Sequence, residues 1–136
     1  MDPTNADRLP ADGGLRILLC EQDTTTVMAP YGKWDLAGRL TARRVMSGAL
    51  SGHPDLLLLD LRHLEFIDSS GVHATIELTR RAAAQSTRLE IVPGPSPVQR
   101  TFDLCGVLER LPFTSPRPSG SSPAPFAGQA SSIAAS

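Results

Sequence analysis

The amino-acid sequence predicts an α/β domain in which a mixed β-sheet is packed with helices, in the order ββαβαβαβ. Short runs of aliphatic and β-branched residues alternate along the chain with segments whose apolar residues recur at the spacing of a helix face. The first two strands are joined by a tight turn and are expected to be antiparallel. Later strands return through helices, which makes the sheet mixed.

The first half of the domain is expected to contain three strands and one helix. Alternating residues predict a strand over 15–20, a turn at 21–23 and a second strand over 24–29. A helix over about 38–50 is indicated by four apolar residues that share one helical face, Ala42, Val45, Met46 and Ala49. The unbroken leucine run over 56–59 is typical of a central strand that is covered on both faces.

The second half is expected to add two helices and two strands. A short connection leads to a second helix, which follows directly on residues 69–71. A strand over 88–92 precedes a third helix, for which Ser96 supplies the N-cap and Pro97 the first-turn proline. A last short strand is predicted near 108–113. Together these elements form one domain of about a hundred residues.

The two ends of the 136-residue chain differ in composition from this domain. Residues 1–13 contain two prolines and are expected to form a flexible N-terminal arm. Residues 114–136 contain seven Ser, five Ala and four Pro with a single charge, so they bury too little apolar surface to offset their ordering entropy. We therefore expect a domain over 14–113 followed by a disordered tail.

Composition and charge exclude several classes of function. A net charge of −1 argues against direct binding to nucleic acid or to an anionic membrane. The start of the chain has no signal-peptide pattern, and the longest aliphatic runs have four residues, so a cytoplasmic protein is expected. Cys20 and Cys105 are far apart and are expected to be buried small hydrophobes in a reducing compartment.

The most informative stretch is Leu56–Val72, where a buried strand leads to a helix start that carries Asp68, Ser69 and Ser70. A helix N-terminus has free N–H groups and a partial positive charge, so a phosphate on one of these serines could be held there. The alternative is that the three residues only cap the helix, since Asp and Ser are preferred N-caps.

Three segments together resemble a known family. The hexapeptide Phe66–Gly71, preceded by the aliphatic strand, resembles the signature of the STAS domain of bacterial anti-sigma-factor antagonists. Residues 32–35 lie where that family has a Gly-Glu-apolar-Asp motif, and residues 97–106 resemble its third helix. The likeness covers about 15–113 and therefore implies a single STAS-like domain.

The resemblance implies a regulator of transcription that acts by partner switching in bacterial stress responses. Such a protein would not be an enzyme and would need no cofactor. Ser70 would be the phosphoacceptor. The residues that bind the partner would be Asp35, Asp68, Ser69 and Gly71. The partners implied are an anti-sigma factor with serine kinase activity, which the unmodified form binds, and a metal-dependent PPM-type phosphatase. Phosphorylation by the anti-sigma kinase would abolish binding.

Three residues depart from the family pattern: Lys33 in place of the usual acid, Trp34 in place of a smaller aliphatic, and His73 on the second helix. They favour an alternative, a non-switching STAS-type scaffold or small-ligand-sensing module. Trp34 is either a core residue or an exposed anchor. The three histidines match no metal-ligand spacing, and His73 beside Ser70 lacks the nucleophile elbow and orienting acid of a hydrolase.

Overall fold

Five strands and three α-helices account for most of residues 14–114, the part of the chain that this computed structural model describes. The strands are β1 (Leu15–Gln22), β2 (Thr25–Trp34), β3 (Leu56–Asp60), β4 (Leu64–Ile67) and β5 (Arg88–Val92). The helices are α1 (Arg39–Ser51), α2 (Ser69–Ala84) and α3 (Ser96–Leu104), with short 3-10 helices at Leu36–Gly38 and Leu108–Arg110. The predicted α/β class with a mixed sheet is confirmed.

The strand β2 is the one that organises the sheet. It pairs antiparallel with β1 along one edge, while its other edge is shared by two parallel partners. Its first half, Thr25–Met28, pairs with β3, and its last residues, Gly32–Trp34, pair with β4. The strand β5 then lies parallel to β3 at the far edge. The ends of β2 and β4 are therefore neighbours. As a result, the 3-10 helix that follows β2 and the helix α2 that follows β4 begin close together.

Alternation along the strands separates the two faces of the sheet. In β3, Leu57 and Leu59 are fully buried in the main core, whereas Leu58 belongs to a smaller cluster with Val27 on the opposite face. The main core also holds the largest buried side chains of the helices and the sheet: Met28, Trp34, Met46, Leu78, Ile91 and Phe102. The side chain of Trp34, only 1% exposed, is therefore a core residue and not an exposed anchor.

Several local predictions were wrong. The N-cap of α3 is Pro95, and Ser96, the predicted cap, is the first residue of the helix. Residues 64–67 form the strand β4, where only a connection was expected. The strand was not predicted because its buried residues, Leu64 and Ile67, are three apart and do not alternate with exposed ones. The strand β2 continues to Trp34 through Pro30, although proline usually marks the end of a strand. The predicted last strand near 108–113 is a 3-10 helix followed by a single parallel bridge between Phe113 and Ile91.

The two ends of the chain were predicted to be a flexible arm and a disordered tail. Both segments lie outside the described residues except Thr114, whose amide donates a 2.8 Å hydrogen bond to the carbonyl of Ile91. The cysteine prediction was wrong for Cys105, which is exposed at the end of α3, while Cys20 is half-buried. Within residues 14–114, none of the helices has the length and apolar character needed to cross a membrane.

Candidate functional site

Asp68 caps the N-terminus of α2 with its carboxylate. Its Oδ1 accepts hydrogen bonds from the amide of Ser70 at 2.9 Å and from the amide of Gly71 at 3.2 Å. The same oxygen accepts a 2.6 Å hydrogen bond from the Oγ of Ser70. Since Asp68 has extended backbone angles, it is the N-cap residue itself, and Ser69 and Ser70 are the first two residues of the helix.

The pKa of Asp68 lies below its ordinary value. Burial is the largest single influence and raises the pKa, but the hydrogen bonds from the Ser70 hydroxyl and from the amides of Gly71, Ser70 and Leu36 together outweigh it. A carboxylate with a lowered pKa is a weak base, so Asp68 does not readily take the proton of Ser70 at neutral pH. Its role in this arrangement is to orient the Ser70 hydroxyl.

The two serines differ in their surroundings. Ser69 is exposed, while Ser70 is half-buried and hydrogen-bonded to Asp68. The free amides that a phosphate was expected to use are also occupied, because Asp68 binds those of Ser70 and Gly71 and its carbonyl accepts from Val72 at 3.0 Å. A phosphate on Ser70 would therefore have to displace the Asp68 carboxylate before it could bind these amides.

The beginning of α2 is packed tightly against the ends of β2 and β4. A Cβ atom on Gly71 would lie 2.5 Å from Cγ1 of Ile67 and 3.0 Å from the carbonyl oxygen of Trp34. The amide of Asp68 donates a 3.1 Å hydrogen bond to that same carbonyl. The absence of a side chain at Gly71 thus lets the helix start lie directly on the two strand ends.

Asp35 lies beside this helix start because β2 ends next to β4. Its Oδ1 accepts a 3.1 Å hydrogen bond from the amide of Ala37 and so caps the 3-10 helix Leu36–Gly38. The backbone of the following residue, Leu36, helps to lower the pKa of Asp68. The structure therefore brings all five predicted site residues to one end of the sheet: Asp35, Asp68, Ser69, Ser70 and Gly71.

The residues that depart from the family pattern lie near this site, in different environments. Lys33 is exposed and pairs in register with Phe66 of β4, whose side chain is 45% exposed. His73 is exposed on α2 and makes no hydrogen bond to Ser70 within the described part of the chain. The hydroxyl of Ser70 donates its hydrogen bond to Asp68 instead.

A cluster that sequence reasoning missed holds the turn between β3 and β4. The carboxylate of Asp60, only 2% exposed, accepts hydrogen bonds from Nε of Arg62 at 2.9 Å and from Nη2 at 3.1 Å. The hydrogen bond to Asp60 raises the pKa of Arg62. The ring of His63 has its Nε2 3.7 Å from Asp60 and stacks on Tyr31 with ring centroids 4.5 Å apart.

This cluster positions β4 and does not itself form part of the site. Its signal in the sequence was an acid directly after an aliphatic strand with an arginine two residues later, Asp60 and Arg62. No group of three His, Cys, Asp or Glu side chains in residues 14–114 is arranged to hold a metal ion.

Comparisons with known proteins agree on the fold. The family model of the STAS domain matches residues 18–117. The fold is similar to that of an anti-sigma factor antagonist from Mycobacterium paratuberculosis, with a TM-score of 0.68 and 19% identity, over 75% of this chain and 86% of that one. No curated protein matches the chain in sequence.

Two structures of the protein SpoIIAA are similar as well. Its unphosphorylated form has a TM-score of 0.61 and 21% identity, over 73% of this chain and 88% of that one. The phosphorylated form of SpoIIAA, described as a Bacillus cell fate determinant, has a TM-score of 0.56 and 20% identity, over 73% and 91% of the two chains. These likenesses concern the fold.

Proposed function

The chain belongs to the STAS domain family, and from this membership we propose that it is an anti-sigma-factor antagonist that acts by partner switching. The unmodified chain binds an anti-sigma factor that has serine kinase activity, which frees the sigma factor. Phosphorylation of Ser70 by that kinase releases the chain, and a PPM-type phosphatase restores the binding form. The chain acts by binding and not by catalysis, in the bacterial cytoplasm.

The observation that carries this proposal is the 2.6 Å hydrogen bond from the Oγ of Ser70 to Asp68. Phosphorylation replaces the hydroxyl proton, so that Oγ becomes an acceptor only and can no longer bind a carboxylate. The phosphate also adds about −1.5 to −2 charges beside Asp68, whose lowered pKa keeps it ionised. The modified side chain must therefore leave this contact, which moves its charge away from the Asp68 carboxylate.

The size of this effect is sufficient for a switch. Like charges brought together at an interface cost several kcal/mol, and a cost of about 3 kcal/mol lowers affinity about 100-fold. The likeness of the fold to SpoIIAA, which has been solved in unphosphorylated and phosphorylated forms, supports a switch of surface charge on a fold that stays intact.

The proposal is tested by incubating the full chain with ATP and each candidate anti-sigma kinase encoded near its gene. We expect the intact mass to rise by one phosphate, and peptide mapping to place that phosphate on Ser70. The variant Ser70→Ala should bind the kinase constitutively, and Ser70→Asp should bind weakly without any kinase reaction. The matched control is Ser69→Ala, which removes a neighbouring exposed hydroxyl and should still be phosphorylated.

Three outcomes would contradict parts of the proposal. A phosphate mapped to Ser69, or a Ser70→Ala chain phosphorylated at the wild-type rate, would exclude Ser70 as the acceptor. If every candidate kinase left the chain unmodified, the non-switching scaffold or ligand-sensing module would be the better explanation. Lys33 and His73, both exposed and both departures from the family pattern, are the residues that favour this alternative.

A further inference from the structure

Two large apolar side chains are exposed immediately after Asp35. Leu36 in the 3-10 helix is 63% exposed, and Leu40 in the first turn of α1 is 67% exposed. Leu36 lies in the 3-10 helix and Leu40 in the α-helix that follows it directly, so about one helical turn separates them along the chain. Exposed leucines scattered singly are ordinary, but two that adjoin at a candidate binding site form an apolar surface.

This apolar pair is bordered by arginines. Arg39 and Arg43 are exposed, and neither forms an ion pair with any of the residues that the structure describes. The segment from Leu36 to Ser51 contains no Asp or Glu. We call Leu36, Arg39, Leu40 and Arg43 the leucine-arginine surface.

The arrangement of these charges opposes the stability of α1. Arg39 lies in the first turn, where the helix dipole disfavours a cation, and Arg39 and Arg43 are like charges at the i, i+4 spacing. Local rules of helix stability are broken most often where a residue serves binding. The position of the arginines is therefore better explained by a partner than by the fold.

The leucine-arginine surface is joined to the proposed switch through Asp68. The hydroxyl of Ser70 hydrogen-bonds to that carboxylate, and the backbone of Leu36 helps to lower its pKa. The helix α1, which carries Leu40, packs against α2. A protein that docks on Ser70 and Asp35 therefore also meets this surface.

We propose that the leucine-arginine surface binds an acidic face of the anti-sigma partner, on which an apolar pocket for Leu36 and Leu40 is bordered by Asp or Glu side chains. This inference rests on the proposed function and specifies the chemistry of the partner. It also accounts for the direction of the switch. A phosphate on Ser70 cancels part of the positive charge of the surface and repels the same acidic side chains.

The test is a calorimetric titration of the Ser70→Ala chain, which cannot be modified at that position, with the anti-sigma kinase that phosphorylates Ser70 in the wild-type chain. In this background we expect Leu40→Ala to weaken binding about 10-fold or more, since it removes an apolar anchor. The double change Arg39→Glu with Arg43→Glu should weaken binding by a similar factor at low salt. Its effect should shrink in about 1 M salt, where charges are screened within about 3 Å.

Matched controls are available on α3. Leu104 is 79% exposed at the end of that helix, and Arg100 is exposed on it. The variants Leu104→Ala and Arg100→Glu should bind within about twofold of the parent if the effect belongs to the leucine-arginine surface. In addition, Arg39→Glu should keep or raise the thermal midpoint, because an acidic residue in the first turn suits the helix dipole. Weaker binding without lower stability separates docking from a structural role.

The possible failures are distinguishable. If the parent chain binds the kinase and the Leu40 and double arginine variants bind equally well, the leucine-arginine surface is not the docking surface and the proposed function stands. If the binding of the double variant does not depend on salt, the acidic character of the partner is wrong. If the parent chain binds no anti-sigma kinase, the proposed function fails, and this inference fails with it.

Discussion

The amide of Asp68 donates a 3.1 Å hydrogen bond to the carbonyl oxygen of Trp34, which fastens the start of α2 to the end of β2. The carboxylate of the same Asp68 caps the helix and holds the Ser70 hydroxyl. Asp68 thus connects a strand end, a helix start and the proposed phosphoacceptor. Substitution of Asp68 is therefore expected to change the free energy of unfolding, which can be measured separately from the affinity for the partner.

Replacing Asp68 should make stability depend less on pH. The pKa of Asp68 is lowered in the folded chain, so its charge contributes stability above the unfolded pKa of about 3.9 and loses that contribution as pH falls through the folded pKa. We expect Asp68→Ala to lower the free energy of unfolding by about 1 kcal/mol at pH 7, typical of a lost N-cap. Urea unfolding at pH 7 and near pH 2 should show that this difference shrinks in acid.

The control for that experiment is Asp68→Asn, which keeps an acceptor oxygen but removes the charge. It should lose less stability than Asp68→Ala at pH 7 and should approach the wild type in acid. A difference between wild type and Asp68→Ala that stayed constant over this pH range would contradict a role for the ionised carboxylate.

Two glycine substitutions should act in opposite directions. Adding a methyl group at Gly71 places it 2.5 Å from Ile67 Cγ1 and 3.0 Å from the carbonyl of Trp34, so Gly71→Ala should destabilise the chain by about 1–2 kcal/mol. Gly48 lies inside α1, and outside its chain neighbours and the nearby helix backbone no atom comes within 4 Å of its missing Cβ. Gly48→Ala should therefore stabilise by about 0.5–1 kcal/mol. Denaturant unfolding measures both. Equal effects of the two changes would show that α2 does not lie tightly on the strand ends.

The ion pair of Asp60 and Arg62 should matter more than a similar pair at the surface. The change Arg62→Met leaves the buried carboxylate without its guanidinium and should cost about 2 kcal/mol or more. Adding Asp60→Asn in the same chain should recover part of the loss, because no buried charge is then left unpaired. Chemical denaturation of the wild type, Arg62→Met, Asp60→Asn and the double variant gives the coupling energy of the pair.

The comparison for this ion pair is Arg88 with Glu90. Their atoms approach to 2.7 Å, but the Arg88 side chain is 75% exposed, so Arg88→Met should cost less than about 1 kcal/mol. Similar costs for Arg62→Met and Arg88→Met would mean that burial of Asp60 does not determine the strength of its ion pair.

Asp35 should contribute to binding more than to stability. Its side chain accepts one hydrogen bond, from Ala37 at an exposed position, so Asp35→Ala should cost at most about 1 kcal/mol and leave the circular dichroism spectrum unchanged. We expect the same change to weaken the complex with the anti-sigma kinase about 10-fold, because the 3-10 helix that Asp35 caps carries Leu36 of the leucine-arginine surface. Calorimetry with Asp103→Ala, an exposed acid on α3, is the matched control. Unchanged affinity for Asp35→Ala would remove Asp35 from the site.

The elements that sequence reasoning predicted correctly are those whose pattern is decided by local burial. The leucine run of β3 and the helical spacing of Met46 and Ala49 in α1 depend only on which faces are covered. By contrast, β4 is a strand because it pairs with the end of β2. Its buried residues, Leu64 and Ile67, are three apart, so the segment alone lacks the alternating pattern of a strand. Pairing between distant segments overrides local pattern there.

The same distinction applies to the site. A helix start close to Asp68 could be predicted, since an acid followed by serine and glycine is a local capping signal. The helix was expected to follow directly on residues 69–71, but it includes them and begins at Ser69. That Asp35 lies at the same end of the sheet could be expected only from the family resemblance, because it follows from the parallel pairing of Trp34 with Ile67. The exposure of Leu36 and Leu40 was not predicted either, because apolar residues at the start of a helix are ordinarily expected to pack inward.

The burial of Trp34 beneath the junction of β2 and α2 gives the protein an intrinsic optical probe. It is the only tryptophan of the chain, its side chain is 1% exposed, and its carbonyl is bound by Asp68. The fluorescence of the indole should therefore be that of an apolar environment and should shift to longer wavelength when the chain unfolds. The backbone carbonyl of the same residue is bound by Asp68, so unfolding at the junction of β2 and α2 can be followed in the unlabelled protein.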